Sequence, residues 1–349
     1  MNQKAFDFDK VHFNTGLLVK ELQKRWIEVS MMEETDLIIA EYKGHIEIIQ
    51  DTNVSSMPYT IKYALDDKYL TKRLLQKIWI SVPEGERFYK DELYEAKQYA
   101  EYLGYPVVVK PTIWSHGENV YVNINNPEEL EDAFYNIYSS IWGDNWIKVL
   151  VERQFEWNEH RVFITKDGFL AAVEREPANV IGDGNSTLQQ LIDKENYRRM
   201  NPRDTCLCEI WLDDISEKFF TDRDLTLDYI AEKGEKVYIR PNSNVSGWAN
   251  CRDITDTLHP SVIAIWQKIL ESFPGLPFVG IDFMCKDITT AQEGDSYIIC
   301  ELNTTPGLSL HSHEETGNVK NVAGAVVDTV FPETRIKLDT FRETQCYSK

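Results

Sequence analysis

The sequence predicts an α/β or α+β protein of three lobes, and three observations carry that expectation. Strand-like and helical patterns interleave along the whole chain. From about residue 146 the strand-like runs WIKVLVE, HRVFIT, FLAAVERE, KVYIRP, FVGIDFMC and YIICELN dominate, with helical patterns near 187–199, 260–272 and 320–329 among them. At 349 residues the chain is long enough for two or three lobes, each with its own core. The pattern does not read as an all-parallel, doubly wound sheet.

Residues 1–65 read as a small α/β lobe. NTGLLVKELQKR has helical periodicity, and DLIIAEY and HIEIIQ flank a Lys43-Gly44 turn in the manner of a hairpin. Residues 66–145 form the second expected lobe. Its amphipathic helix DDKYLTKRLLQKI stops at Val82-Pro83-Glu84-Gly85, and the helix DELYEAKQYAEYLG ends at Gly104 before the strand YPVVVKP. The strand NVYVNI and a helix opened by Asn126-Pro127 complete it. Residues 146–349 are the third lobe, within which 200–235 have no clear periodicity.

Composition narrows the function classes. The hydrophobic fraction is 42% and the charged fraction 27%, ordinary for a globular protein. No apolar run approaches the roughly 18–20 residues needed to span a bilayer, and the N-terminus carries no secretion signal. A cytoplasmic protein is expected. The net charge of −20, from 57 acidic and 37 basic side chains, repels nucleic acid and anionic membranes, so neither is expected as a partner. Any bound phosphate must therefore be held by a few placed cations, backbone N–H groups and a metal. The six cysteines fit neither a disulfide framework nor paired CxxC zinc ligands, and Cys285 and Cys300 read as small core residues.

The chemistry concentrates near the C-terminus. FVGIDFMC and YIICELNTTPG read as neighbouring strands, and alternation puts Glu301 and Asn303 on one face, with Tyr297 and Ile299 before them. Asp282 projects beside them from the adjacent strand. Two carboxylates and an amide oxygen make a hard site suited to Mg²⁺ bridging the phosphates of ATP. A polar strand end at a sheet rim is the competing reading, and the Thr305-Pro306-Gly307 turn tips the balance toward the metal.

Phosphate and nucleotide candidates lie earlier in the chain. Lys110 ends an apolar strand before Pro111, where its ammonium can serve as a point charge for phosphate. The following PTIWSHGEN, with Ser115, His116 and Gly117, can fold over phosphates through its N–H groups. In VLVERQFEWNEHRVF, a segment from Glu152 through Arg153, Gln154 and Phe155 can run past an adenine, with Glu159 taking ribose hydroxyls. Arg161, Arg175 and Arg240 offer planar donor forks for a transferring phosphoryl group. Each of these residues alone is a surface charge or core residue by default. VIGDGNST is neither a Walker A loop nor a dinucleotide fingerprint, and GxSxG and HExxH are absent. His311 and His313 could ligate a metal, but solvent-facing or hydrogen-bonded side chains are the simpler reading. Composition and spacing alone stop at an Mg-dependent nucleotide enzyme.

The order of segments adds a resemblance. DDKYLTKRLL, YPVVVKP, VLVERQF…EHRVF, REPANVIGDGNSTLQQLI, GEKVYIRPNSNVS, DITDTLHP, GIDFM and ELNTTPGL resemble, in order, the ATP-grasp modules of bifunctional glutathione synthetases and cyanophycin synthetases. The resemblance runs from about Asp66 to Pro332. It implies an ATP-grasp fold in which ATP lies between two α+β subdomains, with Mg²⁺ (or Mn²⁺) as cofactor. It further implies that Lys68 and Lys110 hold phosphates, that Glu152 through Phe155 forms the adenine hinge, and that Glu159 binds ribose. Asp282, Glu301 and Asn303 would ligate metal, and Arg240, Asn242 and Asn244 would serve the acyl-phosphate and acceptor sites, with Arg161 and Arg175 as further candidates for that pocket. Where the glutathione-type proteins continue with Thr-Gly-Gly, this chain has Gly247-Trp248-Ala249.

The activity so implied is a carboxylate–amine ligase working through an acyl phosphate on an amino acid or short peptide, with a homodimer suggested. No glutamate–cysteine ligase domain precedes the module and no Mur-type ligase domain follows it, which leaves both parent substrates open. Two alternatives stand beside this reading: modification of a peptide or protein carboxylate, and a non-catalytic nucleotide-binding protein on the same fold.

Overall fold

A computed structural model describes residues 6–32, 34–113, 119–140, 147–200, 209–240, 250–311 and 320–335. The first lobe opens with α1 (Phe13–Lys24), which buries Leu18, Val19 and Leu22. A meander follows of β1 (Glu28–Met31), β2 (Leu37–Tyr42), β3 (His45–Gln50) and β4 (Asn53–Val54), antiparallel throughout. Tyr42 lies opposite His45, so Lys43-Gly44 is the expected hairpin turn.

Two short helices come next, α2 (Tyr59–Asp66) and α3 (Lys68–Lys77). α3 is the helix expected over DDKYLTKRLLQKI, shorter by two residues at its start and one at its end, and α2 precedes it as a helix the sequence did not show. Asp67, in extended conformation, separates the two and caps α3, its side chain accepting from the Leu70 N–H at 2.9 Å. The chain leaves α3 at Ile78 and passes through Trp79 in the left-handed region. The buried positions of α3 are Lys68, Thr71, Lys72 and Leu75, a helical stripe that is polar except at its end. In α2 only Leu65 is buried, which is why periodicity did not reveal that helix.

The second sheet takes β5 (Gly85–Phe88), β6 (Val107–Pro111), β7 (Tyr121–Ile124) and β8 (Val149–Arg153) in the order β5-β8-β6-β7. Helices α4 (Leu93–Leu103) and α5 (Pro127–Ser140) pack on it through Ala96, Ala100, Leu130 and Phe134. α4 stops before Gly104 as expected, and Asn126 opens α5 by accepting from the Glu129 N–H at 2.9 Å. β8 is an inner strand here, pairing with both β5 and β6, although the sequence grouped it with the strands after residue 145. Its apolar run Val149–Val151 suits a strand covered on both faces.

The third part contains β9 (Asn158–Thr165), β10 (Leu170–Glu176), β11 (Asn179–Ile181), α6 (Leu188–Met200), α7 (Asp214–Thr221), β12 (Lys236–Tyr238) and β13 (Asn250–Asp253). It closes with α8 (Pro260–Ser272), β14 (Phe278–Cys285), β15 (Tyr297–Asn303) and α9 (Val322–Val330). Five strands form an antiparallel sheet ordered β13-β10-β9-β14-β15. Its core, with Trp266, Phe283 and Tyr297, is continuous with that of the first lobe. β11 and β12 make a separate ribbon over a small core with Ile192, Phe219, Phe220 and Val237. The strand expected from KVYIRP therefore lies outside the main sheet, and α7 lies inside the stretch that showed no periodicity because it is only two turns long. Among the described residues, no helix is long and apolar enough to cross a membrane.

Candidate functional site

Strand register assembles the floor of the site. Asp282 on β14 lies opposite Glu301 on β15 and Arg161 on β9, so three charged side chains sit side by side across three strands. Like charges opposite one another are unfavourable unless compensated. Here Arg161 Nη1 donates to Asp282 Oδ1 at 2.6 Å, and Arg175 Nη1 stands 3.6 Å from the same oxygen. Arg175 also donates to its cross-strand partner Glu159 at 2.8 Å. Lys68 Nζ, at the start of α3, lies 3.7 Å from Glu301 Oε1. Asn303 turns its amide nitrogen toward Glu301 Oε1 (3.2 Å) and its oxygen toward Arg161 Nη1 (2.5 Å). Burial alone would raise the Asp282 carboxyl, but Arg161 and Arg175 hold it below the usual carboxylate range.

A bulge after Asp282 corrects one expectation about this face. Phe283 pairs with Ile299 while Asp282 pairs with Glu301, so Cys300 is the extra residue and the alternation shifts by one. Tyr297 and Ile299 consequently belong to the core, and the residues that share the cleft side are Ile298 and Cys300. Cys285 is a core residue as expected, whereas Cys300 lines the cleft. Gly280 has a steric reason to lack a side chain: a Cβ there would lie 2.8 Å from Arg161 Nη2 and 2.9 Å from Pro306 Cβ. The Arg161 guanidinium occupies that space.

The opposite wall is a buried cluster. Glu152 on β8 accepts from Lys110 on β6 at 2.5 Å through Oε1, and its Oε2 takes the ammonium of Lys72 on α3. All three side chains are almost fully buried. Glu152 stays ionised below its ordinary range because the two ammonium groups outweigh the effect of burial. Gly85 lies opposite Glu152, and a Cβ on it would stand only 2.7 Å from Glu152 Cβ.

Between the two walls runs a cleft of about 870 Å³, within the usual range for small-molecule sites. Of the expected residues, Lys110, Glu152 through Phe155, Glu159, Arg175 and Arg240 line it. Gln154 is fixed by two bonds of 2.6 Å to Asn123 on β7, so the segment after β8 is tied to the second sheet. Arg240 is 3% exposed and pairs with Asp213, the capping residue of α7. Lys68, Arg161, Asp282, Glu301 and Asn303 join one another at the floor through the contacts above.

Ser115, His116, Gly117, Asn242, Asn244, Gly247-Trp248-Ala249 and His313 lie outside the described residues. His311 differs from expectation. It is buried, and among the described residues neither ring nitrogen has a hydrogen-bond partner. Burial, then Arg161 and Arg175, push its pKa down to about 3, so it is a neutral imidazole. Sequence reasoning missed Lys72 altogether. The signal was there, four residues after Lys68 and so on the same helical face.

The donor set suits a hard divalent cation: two carboxylates and an amide from neighbouring strands, with flanking cations that keep Asp282 charged. Residues 67–200 match the ATP binding domain of the carbamoyl-phosphate synthase L chain. Cyanophycin synthetase of Geminocystis herdmanii (strain PCC 6308) is 32% identical over 323 residues, 92% of this chain and 36% of that protein. The bifunctional glutathione biosynthesis protein of Clostridium perfringens (strain 13 / Type A) is 27% identical over 329 residues, 93% of this chain and 42% of that protein. The crystal structure of a bifunctional glutathione synthetase from Pasteurella multocida superposes with a TM-score of 0.68 at 27% identity, covering 93% of this chain and 45% of that one. The chain thus spans less than half the length of each of these proteins.

Proposed function

We propose, from the premise that this chain carries an ATP-grasp domain homologous to those of cyanophycin and bifunctional glutathione synthetases, that it is an ATP-dependent carboxylate–amine ligase. The observation that carries the proposal is the cleft on which Lys110, the Glu152–Phe155 hinge candidates, Glu159 and Arg175 converge, with Arg175 linking it to Asp282 and, across the strands, to Glu301 and Lys68. ATP would lie between the β5-β8-β6-β7 sheet and the five-stranded sheet. Lys68 and Lys110 would hold its phosphates, the Glu152–Phe155 segment would border its base, and Glu159 would meet its ribose.

Mg²⁺ (or Mn²⁺ in its place) would be held by Asp282, Glu301 and Asn303, where it neutralises charge developing on the transferring phosphoryl group. In the first step an oxygen of the substrate carboxylate attacks the γ-phosphorus and ADP leaves. In the second an amine attacks the acyl carbon and phosphate leaves. Arg161, Arg175 and Arg240 present cations to the negative charge of both steps. Asn242 and Asn244 are proposed to complete the acceptor side. The deep setting of Arg240 favours small substrates, an amino acid or short peptide, over a protein chain end. We place such an enzyme in the cytoplasm.

The test is ADP release with Mg-ATP against amino acids and short peptides, singly and in pairs, followed by mass spectrometry. The expected result is ADP formed only with a particular pair, and a product one water lighter than the two together. ATP binding without pair-dependent ADP anywhere in the panel would replace this reading with a nucleotide-binding role.

A further inference from the structure

We infer that Lys72 is a positioning residue that acts through Glu152 and gives the buried lysine cluster its net positive charge toward an anion in the cleft. The inference rests on the nucleotide reading above and adds a residue to it. Lys110 and Glu152 line the cleft, whereas Lys72 lies behind Glu152 and does not. Without Lys72, Lys110 and Glu152 would be a self-neutralised pair at 2.5 Å with no net charge for a phosphate. With it, two ammonium groups share one carboxylate.

A purely structural role accounts poorly for this arrangement. An excess ammonium in an interior is costly, and an apolar side chain on α3 would pack against the Lys110–Glu152 pair of β6 and β8 without that cost. Burial outweighs the pull of Glu152 and lowers the pKa of Lys72 from its ordinary value; Lys110 and Cys300 are the other titratable groups beside it, and Glu301 acts on Lys110. The Cys300 thiol is pushed up to about 12, mainly by burial, so it supplies no charge to cancel the excess. A polyanion in the cleft would relieve the imbalance. Lys68, one turn earlier on the same helix, is directed instead at Glu301.

Calorimetric binding of Mg-ATP and of adenosine to the full chain separates the possibilities. Lys72→Met should weaken ATP by about tenfold or more and leave adenosine unchanged, since one charge within about 10 Å of a polyanion in a partly buried site, at an effective dielectric of about 20, is worth roughly that factor. Lys72→Arg should keep ATP binding. Adding Glu152→Gln to Lys72→Met restores the net charge and should return the ATP-to-adenosine ratio to within about threefold of wild type. Unchanged ATP affinity in Lys72→Met, parallel loss of ATP and adenosine, or a loss the double variant does not recover would each overturn the inference. If Lys72→Met does not fold, Glu152→Gln alone decides, because the ratio must then hold or rise and a fall rules the idea out. A wild-type chain that binds no Mg-ATP removes the nucleotide reading and this inference together. One that binds it but ignores the Lys72 charge removes the inference alone.

Discussion

On the five-stranded sheet, Arg161, Arg175 and Lys68 face Asp282, Glu159 and Glu301 in ion pairs whose charges balance. On the opposite wall, Lys72 and Lys110 share Glu152 and leave one positive charge over. The balanced wall can accept a divalent cation among its carboxylates without first being stripped of an excess charge. The unbalanced wall suits the anion that such a cation accompanies. A nucleotide bridging the two would meet a metal site on one side and ammonium groups on the other, which is the division of labour phosphoryl transfer requires.

The largest effect should come from unbalancing the first wall. Asp282→Asn removes a proposed metal ligand and leaves Arg161 and Arg175 facing an uncharged amide. Turnover, read as ADP release with saturating substrates, should fall on the order of 10³-fold, the scale of several kcal/mol of lost charge stabilisation. Breaking a buried pair by removing one partner also costs stability, so the unfolding midpoint should drop as well. If turnover survives, Asp282 is a structural partner of the two arginines and the metal lies elsewhere.

The same two walls show what a sequence discloses. Glu301 and Asn303 were legible because strand alternation fixes their common face, and Asp282 because its strand was adjacent in the chain. Lys110 was legible as the charged end of an apolar strand. Lys72 was not, because the stripe it occupies on α3 is mostly polar and an amphipathic pattern assigns such residues to solvent. The bulge at Cys300 was equally hidden: a single extra residue leaves the run YIICELN looking regular while exchanging which side chains reach the core. Likewise α2 and α7, eight residues each, are too short for periodicity to stand out. Local alternation was readable, and pairings made across elements far apart in the chain were not.

A subtler change tests whether the first wall depends on shape as well as charge. Gly280→Ala puts a methyl group where Arg161 Nη2 and Pro306 Cβ now lie, at 2.8 and 2.9 Å. Arg161 must shift away from Asp282, or the Pro306 turn must move. Overpacking of this kind costs about 1–3 kcal/mol, measurable by denaturant unfolding. Turnover should fall while Mg-ATP affinity, set largely by the opposite wall, stays near wild type. A parallel loss of affinity would mean that the two walls are not energetically separable.

The smallest expected effect concerns His311, which lies within electrostatic reach of Arg161 and Arg175. Among the described residues, their nearby carboxylates, Asp282 and Glu159, are already paired with the two arginines. The folded pKa of about 3 lies below the ordinary 6.5, so between those values the unfolded chain binds the proton and the folded chain does not. Stability should therefore fall as the pH drops below about 6.5, by at most about 1.4 kcal/mol per pH unit from this residue. His311→Phe removes that proton and should flatten the slope of unfolding free energy between pH 6.5 and 5. The carboxylates contribute equally to both proteins, so the difference isolates His311. Equal slopes would mean that the imidazole finds a partner when protonated, and that the balance of charges on this wall is looser than its ion pairs suggest.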